Sequence, residues 1–268
     1  AYMNILIAHI HGGDVTRGGL DESARHAITK FSHIHFPVTQ RSAERIIKLG
    51  EDPWRITVVG SPSIDTIKNI KLLTKKEIEA RFKISLKQPL ILMIQHSIST
   101  EPEKARSQIL ETIKALKRIK INTIIIYPNS DSGSRTIIRE LKKIQNLPFI
   151  QLYKSLDHRV YLSLLKNANV LIGNSSSGII ESSFLKTPVV NIGHRQEGRE
   201  RSLNVIDVEC NSIKIENAIQ KTLYEKSFLK RVAECNNPYG GGNASKLIVN
   251  KLVELKIDEK WFQKKITY

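Results

Sequence analysis

The sequence has few cysteines, few aromatic residues and no long apolar run. Cys210 and Cys235 are the two cysteines among 268 residues, and they form neither a disulfide framework nor a metal-binding pattern, which indicates a reducing, cytoplasmic compartment. No apolar run approaches the roughly 20 residues of a bilayer-spanning helix, so no membrane partner is expected. The first residues, AYMNILIAHIHGGD, lack the basic region of a signal peptide, and none is predicted.

The charge balance is strongly basic. The chain has 42 Lys and Arg against 26 Asp and Glu, a formal net charge of +16, which raises the question of a nucleic-acid partner. The lysines are scattered in pairs rather than gathered in a block, and aromatic residues, at 6%, are not interleaved with them as stacking platforms. We therefore expect no nucleic-acid partner, and an anionic small ligand explains the charge more simply.

Short apolar runs alternate with amphipathic segments along the whole chain. Strands are predicted at 5–10, 33–38, 56–59, 90–95, 123–127, 149–152, 170–172, 189–192 and 204–209. Helices are predicted at 20–31, 39–49, 102–119, 134–145, 157–167, 178–186, 213–225 and 244–256, with a short one from Pro62. Strands that alternate with helices predict an α/β fold with mainly parallel sheets, in two Rossmann-like doubly wound domains.

A lysine-rich stretch without an apolar strand, residues 67–88, marks the predicted domain boundary; it includes a capping box at Thr74–Glu77. Residues 1–70 are the remainder of an N-terminal Rossmann-like domain, and 71–238 form a C-terminal nucleotide-binding one. Residues 239–268 are expected to form a C-terminal helix that packs back on the N-terminal domain. The first series has about three strands and opens abruptly on one, so the first domain is expected to be incomplete.

Residues 170–181, VLIGNSSSGIIE, are the most informative segment. An apolar strand leads into a small-residue turn and then a helix, and this junction presents unpaired N–H groups and the positive end of a helix dipole to a phosphate. Ser175, Ser176 and Ser177 add hydroxyl donors, and Glu181 offers a carboxylate for ribose hydroxyls. The alternative is an N-capped helix after a buried strand. The segment points to a bound nucleotide.

Four more loops follow predicted strands, where open α/β sheets bind ligands. The loop from His9 to Glu22 holds glycines, acidic residues and two histidines; His9 and His11, two apart on a strand, are expected to share a face, without an obvious third metal ligand. QHSIST places His96 at a strand end, and PNSDSGSR is a polar turn before a helix. GHRQEGRER carries three arginines that suit a diphosphate, or else form a solvated charge run.

Taken together, these segments resemble the hydrolysing UDP-N-acetylglucosamine 2-epimerase family, in the branch that serves bacterial sialic and legionaminic acid pathways. The segments that carry the resemblance are HIHGGDVTRGGLDESARHAITK, VVGSPSID, QHSIST, PNSDSGS, GNSSSGIIESSFLKTPVVNIGHRQEGRERSLNVI and NPYGGGNA. The resemblance implies a glycosyltransferase-B-like fold, a UDP-hexosamine in the interdomain cleft, no metal or redox cofactor, and a homodimer or homotetramer.

The resemblance also implies a reaction. A base removes the C2 proton of UDP-N-acetylglucosamine, or of a UDP-diacetamido sugar, UDP leaves, and water adds to the resulting glycal to release N-acetylmannosamine or its analogue. The implied catalytic residues are Asp21, Asp14, His11 and His96. Many relatives have a glutamate at the position of His11, so its acid role passes to Asp14 or to His11. The implied UDP-binding residues are His96, Asn129, Asp131, Leu156, Ser175, Ser176, Glu181 and Arg195.

Two other functions stay open at this point. A UDP-sugar glycosyltransferase of the same fold would need an acceptor, and a truncated UDP-binding module would bind UDP without turnover. The family's N-terminal segment, which carries further nucleotide and acid–base residues, does not appear in this sequence. If nothing precedes Ala1, we expect little or no turnover.

Overall fold

A computed structural model describes residues 3–16 and 20–267, apart from the side chain of Leu20. The described residues form two compact units: the first contains 3–16, 20–69 and 237–267, and the second contains 70–236. None of the described helices has the length and apolar character needed to cross a membrane.

The first unit is built on a two-stranded parallel sheet. Its N-terminal elements are β1 (Ala8–Ile10), α1 (Leu20–Phe31), β2 (Ile34–Phe36), α2 (Gln40–Lys48) and α3 (Pro62–Asn69). Helix α2 begins as predicted, because the side chain of Thr39 accepts a hydrogen bond from the backbone N–H of Ser42. The predicted strand at 5–10 is shorter than expected, since the N–H of Ile7 is bonded to the imidazole of His33 instead of a neighbouring strand.

The predicted strand at 56–59 does not form. Its residues run beside β2 and donate to the carbonyls of His35 and Pro37, but only one isolated bridge, His35 with Ile56, has the full pairing. Proline has no N–H to donate in return, so the ladder stops at Pro37. On α1 the apolar residues Ile28 and Phe31 are exposed, at 47% and 59%, whereas Thr29 is buried.

The second unit is a six-stranded parallel sheet in the order β5-β4-β3-β6-β7-β8. The strands are β3 (Leu90–Ile94), β4 (Asn122–Ile126), β5 (Ile150–Tyr153), β6 (Val170–Gly173), β7 (Val189–Ile192) and β8 (Val205–Val208). The helices are α4 (Lys75–Phe82), α5 (Ala105–Ile119), α6 (Ser134–Lys142), α7 (His158–Asn167), α8 (Ser177–Ile180), α9 (Ser182–Leu185), α10 (Ser212–Tyr224) and α11 (Lys226–Glu234). Apolar clusters fill both faces of the sheet.

Strand order reverses between β3 and β6, which are neighbours in the sheet but far apart in the chain. Such a switch point leaves a crevice at the carboxyl ends of the strands, where doubly wound folds bind their ligands. His96 follows β3 and the GNSSSG turn follows β6, so the fold places both segments at this crevice.

Three details of the second unit differ from the prediction. The helix at 178–186 is two short helices, α8 and α9, because the hydroxyl of Ser182 donates to the carbonyl of Gly178 and competes with the helical ladder there. The helix at 102–119 begins as a 3-10 turn at Pro102–Lys104. Helix α11 was not predicted. The capping box at Thr74–Glu77 is confirmed in both directions.

The last residues belong to the first unit. They form α12 (Ala244–Glu254) and α13 (Glu259–Phe262), and α12 packs against α3. The carboxylate of Asp65 on α3 accepts hydrogen bonds from the first two N–H groups of α12, at 2.9 and 2.6 Å. Arg55 donates to three carbonyls around α13, those of Lys260, Trp261 and Gln263.

Candidate functional site

The side chain of Asn174, which follows β6, is hydrogen-bonded to the backbone of His96, which follows β3. This side chain accepts from the N–H of His96 at 2.7 Å and donates to the carbonyl of His96 at 2.9 Å. Gly173, just before it, has a φ of 123°, and a Cβ there would lie 1.9 Å from the carbonyl oxygen of Ile94. Only glycine permits this approach of β6 to β3, and the approach sets the position of His96.

His96 is held as a neutral hydrogen-bond donor. The backbone N–H of Asn129 donates to its Nδ1 at 3.1 Å, so Nδ1 carries no proton and Nε2 carries it. The side-chain Oδ1 of Asn129 lies 3.1 Å from the same Nδ1, and because an amide oxygen only accepts, this tautomer requires the Asn129 amide to be turned so that its nitrogen faces the ring. Burial, together with the positive charge of Arg195, lowers the pKa of His96 to about 4. At neutral pH the imidazole can donate to an anion but cannot act as a general acid.

A cavity of about 360 Å³ opens beside His96. Four residues predicted to bind the nucleotide line it: His96, Asn129, Leu156 and Ser175. The rest of its wall is mainly apolar and aromatic, from Ile94, Ile126, Tyr127, Pro128 and Tyr161, with Lys154, Ser155 and Ser177 as further polar members. A small cavity with apolar walls and a polar edge suits the base and sugar of a nucleotide.

Glu181 is connected to this cavity through Ser177. The hydroxyl of Ser177 donates to Oε2 of Glu181 and is itself hydrogen-bonded to the hydroxyl of Tyr161. Glu181 stands at the break between α8 and α9, and not within a continuous helix as predicted. The hydrogen bond from Ser177 directs the carboxylate of Glu181 back toward the GNSSSG turn.

Ser175 and Ser176 are half-buried at the start of α8. The Oγ of Ser175 accepts from the N–H of Ser177 at 3.3 Å, while the Ser176 side chain caps no helical N–H. The helix that follows, α8, has only four residues, so its dipole attracts a phosphate less strongly than the dipole of the longer helix predicted at 178–186. Backbone N–H groups and hydroxyls are what this turn offers to a phosphate.

The three arginines predicted to suit a diphosphate have different hydrogen-bond partners. Arg195 donates to the carbonyl of Asn174 at 3.3 Å and lies 3.7 Å from the carboxylate of Asp131, which brings both residues to the same strand edge as His96. Arg199 is buried and donates to the side chain of Gln196, and Arg201 pairs with Asp207 on β8. Arg195 is thus held by residues of other loops, whereas Arg199 and Arg201 bond to residues within or close to their own segment.

In the first unit, the two histidines of the HIHGG segment diverge. His9 lies on β1 and shares a hydrogen bond with Thr29, whereas His11 has a φ of 66° and shares one with Ser61 at 3.1 Å. The prediction that both histidines lie on one strand and share its face is wrong, because β1 ends at Ile10 and His11 follows it in the left-handed conformation. Burial lowers the pKa of His9 to about 4, with His35 adding to the shift.

The acidic residues after His11 differ in exposure. Asp14 is 2% exposed, its Oδ1 accepts from the N–H of Val15 at 2.9 Å, and its carbonyl accepts from Arg25. Asp21 is exposed in the first turn of α1, and its neighbour Glu22 accepts from the N–H of Thr16 at 2.7 Å. Asp21 is therefore accessible to a substrate, whereas Asp14 is enclosed by the loop that contains it.

Sequence reasoning missed three members of this site. Asn174, Tyr161 and Gln196 are polar side chains that are in contact with predicted site residues, and Gln196 donates to the Asn174 carbonyl at 2.9 Å. A polar residue directly after a buried strand, as in Ile172-Gly173-Asn174, is the one signal that could have identified Asn174. In the described ranges, no three His, Cys, Asp or Glu side chains are grouped to hold a metal ion.

Comparison with known proteins gives a consistent result. A family model described as UDP-N-acetylglucosamine 2-epimerase matches residues 1–253. The chain is 34% identical over 244 residues to the UDP-N,N'-diacetylbacillosamine 2-epimerase (hydrolyzing) of Legionella pneumophila, covering 91% of this chain and 63% of that protein. It is 36% identical over 214 residues to the GDP/UDP-N,N'-diacetylbacillosamine 2-epimerase (hydrolyzing) of Campylobacter jejuni, covering 79% and 56%. The chain thus spans about six-tenths of these curated relatives.

Among solved structures, the chain is similar to a UDP-GlcNAc 2-epimerase from Neisseria meningitidis bound to UDP-GlcNAc. The TM-score is 0.82 at 22% identity, and the match covers 95% of this chain and 71% of that one. This likeness confirms the predicted fold class, with parallel α/β sheets of the glycosyltransferase-B-like type.

Proposed function

The chain belongs to the UDP-N-acetylglucosamine 2-epimerase family, and from this premise we propose that it acts as a hydrolysing epimerase on a UDP-activated 2-acetamido sugar. The substrate is UDP-N-acetylglucosamine or a UDP-diacetamido sugar, and the products are UDP and the free sugar with inverted configuration at C2. The observation that supports this most is the cavity beside His96, where apolar walls meet a neutral imidazole donor and a hydroxyl-rich turn, and where the lining residue Ser177 is bonded to Glu181.

The second unit supplies the groups that bind the nucleotide. The apolar wall that includes Leu156 receives the base, and Glu181 accepts hydrogen bonds from the ribose. Ser175, Ser176, and the Nε2–H of His96 donate to the diphosphate, and Arg195 adds positive charge. Asn129 and Asp131 act by holding His96 and Arg195 in place.

The chemistry needs a base at C2 and stabilisation of the departing UDP. We assign the base to Asp21, because its carboxylate is exposed. As the C2–H bond breaks, its electrons form the C1=C2 double bond of the glycal, and the C1–O bond breaks with its electron pair left on UDP. His96 and Arg195 stabilise that developing negative charge. Water then adds across the double bond, with hydroxyl at C1 and a proton delivered to C2.

The acid that assists departure or rehydration comes from the same loop as Asp21. Of the two candidates, His11 is only half-buried and Asp14 is 2% exposed. We assign the acid role to His11, since the side chain of Asp14 is buried and held by the N–H of Val15, away from a substrate atom. Asp14 then fixes the loop through its bonds to Val15 and Arg25.

The wider setting is proposed on the family relationship. A cytoplasmic homodimer or homotetramer would release a free 2-acetamido mannose-type sugar for the synthesis of a nonulosonic acid of the sialic or legionaminic type. The reaction itself draws on side chains and water, with no metal or redox cofactor.

Product analysis tests this proposal. The protein is produced at its full length and incubated with UDP-N-acetylglucosamine, with UDP-N,N'-diacetylbacillosamine and with its GDP counterpart, and nucleotides and sugars are separated by chromatography. We expect nucleoside diphosphate and free C2-inverted sugar in equal amounts without any acceptor. Release that occurs only when an acceptor sugar is added would indicate a glycosyltransferase. UDP binding without release from any of the three would indicate a nucleotide-binding module and overturn the proposal.

A further inference from the structure

A chain of hydrogen bonds joins the wall of the second-unit cavity to Glu181. The hydroxyl of Tyr161, on α7, is bonded to Oγ of Ser177, and Ser177 Oγ donates to Oε2 of Glu181 at 2.5 Å. Tyr161 and Ser177 line the cavity themselves. Glu181, which we propose binds the ribose, is therefore hydrogen-bonded to the cavity wall that we propose binds the base.

The donor and the acceptor of each hydrogen bond in this series follow from the chemistry of the three side chains. An ionised carboxylate only accepts hydrogen bonds, so Ser177 must donate its single proton to Glu181 and accept from the hydroxyl of Tyr161. Burial, with the negative charge of Glu181 added, raises the pKa of Tyr161 above its ordinary value. The phenol thus keeps its proton and stays a donor at every physiological pH.

This series of hydrogen bonds uses Oε2 of Glu181 and leaves its Oε1 for a ligand. Within residues 20–267, Ser177 is the side chain that donates to Glu181, and it uses Oε2. A glutamate at the break between two short helices has several side-chain torsions to order when a ligand binds. Because Oε2 is already held, the direction of Oε1 is set before the ligand arrives, and less entropy is lost on binding.

We infer that Tyr161 is a positioning residue that makes this site select ribonucleotides, because through Ser177 it orients Glu181 to accept from ribose hydroxyls. This inference rests on the proposed function, since it requires UDP to be the ligand of the cavity. Tyr161 makes no contact with the ribose in this scheme. Removing only its hydroxyl should therefore weaken ribose recognition and leave recognition of the base and the diphosphate intact.

The test is Tyr161→Phe, with Kd measured by titration calorimetry for UDP, 2′-deoxy-UDP and 3′-deoxy-UDP. A hydrogen bond to a charged group predicts that the unmodified chain prefers UDP by about 10-fold over the analogue that lacks the bonded hydroxyl. Tyr161→Phe should weaken UDP about 3- to 10-fold and leave that analogue within about twofold. Ser177→Ala should have the same effect, and the double variant should be no worse than the single ones.

Tyr153→Phe is the matched control. It removes a tyrosine hydroxyl of the same unit that is bonded to Gln151 at 2.9 Å and does not line the cavity. All three affinities should stay unchanged in this variant.

The outcomes separate the inference from the proposed function. Unchanged affinities in Tyr161→Phe would overturn the inference, and so would an equal loss for UDP and both analogues, which indicates general packing. Failure of the unmodified chain to bind UDP would instead overturn the proposed function, and with it the inference. A loss of affinity for UDP that spares the analogue lacking the bonded hydroxyl supports both.

Discussion

Replacing Glu51 with glutamine should destabilise the first unit by about 3 kcal/mol. Glu51 is 1% exposed and its carboxylate accepts from Lys30, His35 and Lys264, at distances between 2.7 and 3.1 Å. Although burial alone raises the pKa of Glu51, these hydrogen bonds outweigh it and lower the pKa from 4.5 to about 2. At about 1.4 kcal/mol per pKa unit, this difference gives the figure above. Breaking a buried ion pair costs a similar amount, about 3–5 kcal/mol.

Because the pKa of Glu51 is lowered on folding, its contribution to stability depends on pH in a definite direction. A carboxyl with a lowered folded-state pKa stabilises the fold above its unfolded pKa, and that stabilisation is lost as pH falls toward the folded value. The difference between the unmodified chain and Glu51→Gln should therefore be full above pH 4.5 and shrink as pH falls to about 2.

Tryptophan fluorescence during urea unfolding is the assay. Trp54 and Trp261 are the two tryptophans of the sequence, both belong to the first unit, and their rings are in edge-to-face contact at 4.6 Å. The control is Glu140→Gln, a buried ion-paired glutamate of the second unit, which should leave this transition unchanged. A loss below about 1 kcal/mol at pH 7, or an equal loss at pH 2, would refute the reasoning.

Three further predictions concern the candidate site and its support. Asp21→Asn should lower kcat by at least about 100-fold and change the affinity for UDP by no more than about twofold, and normal turnover of this variant would refute the base assignment. Glu181→Ala should instead raise the Kd for UDP by about 10-fold or more. His96→Asn should lower kcat/KM at all pH values between 5.5 and 9 without removing a limb of the pH profile, because the pKa of His96 is about 4; loss of a limb near pH 6.5 would contradict this. Gly173→Ala should prevent β6 from pairing with β3, measured as loss of UDP binding and a lowered melting temperature, and native-like values in both would contradict the close approach to Ile94.

Local signals in the sequence predict much of the second unit and the start of α2 in the first. The apolar runs at 90–95 and 170–172 correspond to β3 and β6, and the cap at Thr39 and the capping box at Thr74 form as their side chains require. Each of these features depends on residues within one turn or one strand, so a short window contains the necessary information.

Features that depend on distant partners could not be predicted in this way. The turn at His11, the separation of Arg195 from Arg201 and the break at Glu181 each follow from a bond to another element or from serine side chains that compete with the backbone. Tyr161 lies in an amphipathic helix and has the pattern of a core residue; only the packing of α7 against α8 and α9 reveals its hydroxyl as part of a polar chain. Composition and periodicity carry no such information.

The most direct measurement is proton NMR of the reaction in deuterated water with UDP-N-acetylglucosamine as substrate. If C2 is deprotonated and later reprotonated from solvent, the released N-acetylmannosamine should carry deuterium at C2 and UDP should appear at the same rate. Free sugar that retains its original C2 proton would contradict the account, because UDP would then have left without deprotonation at C2.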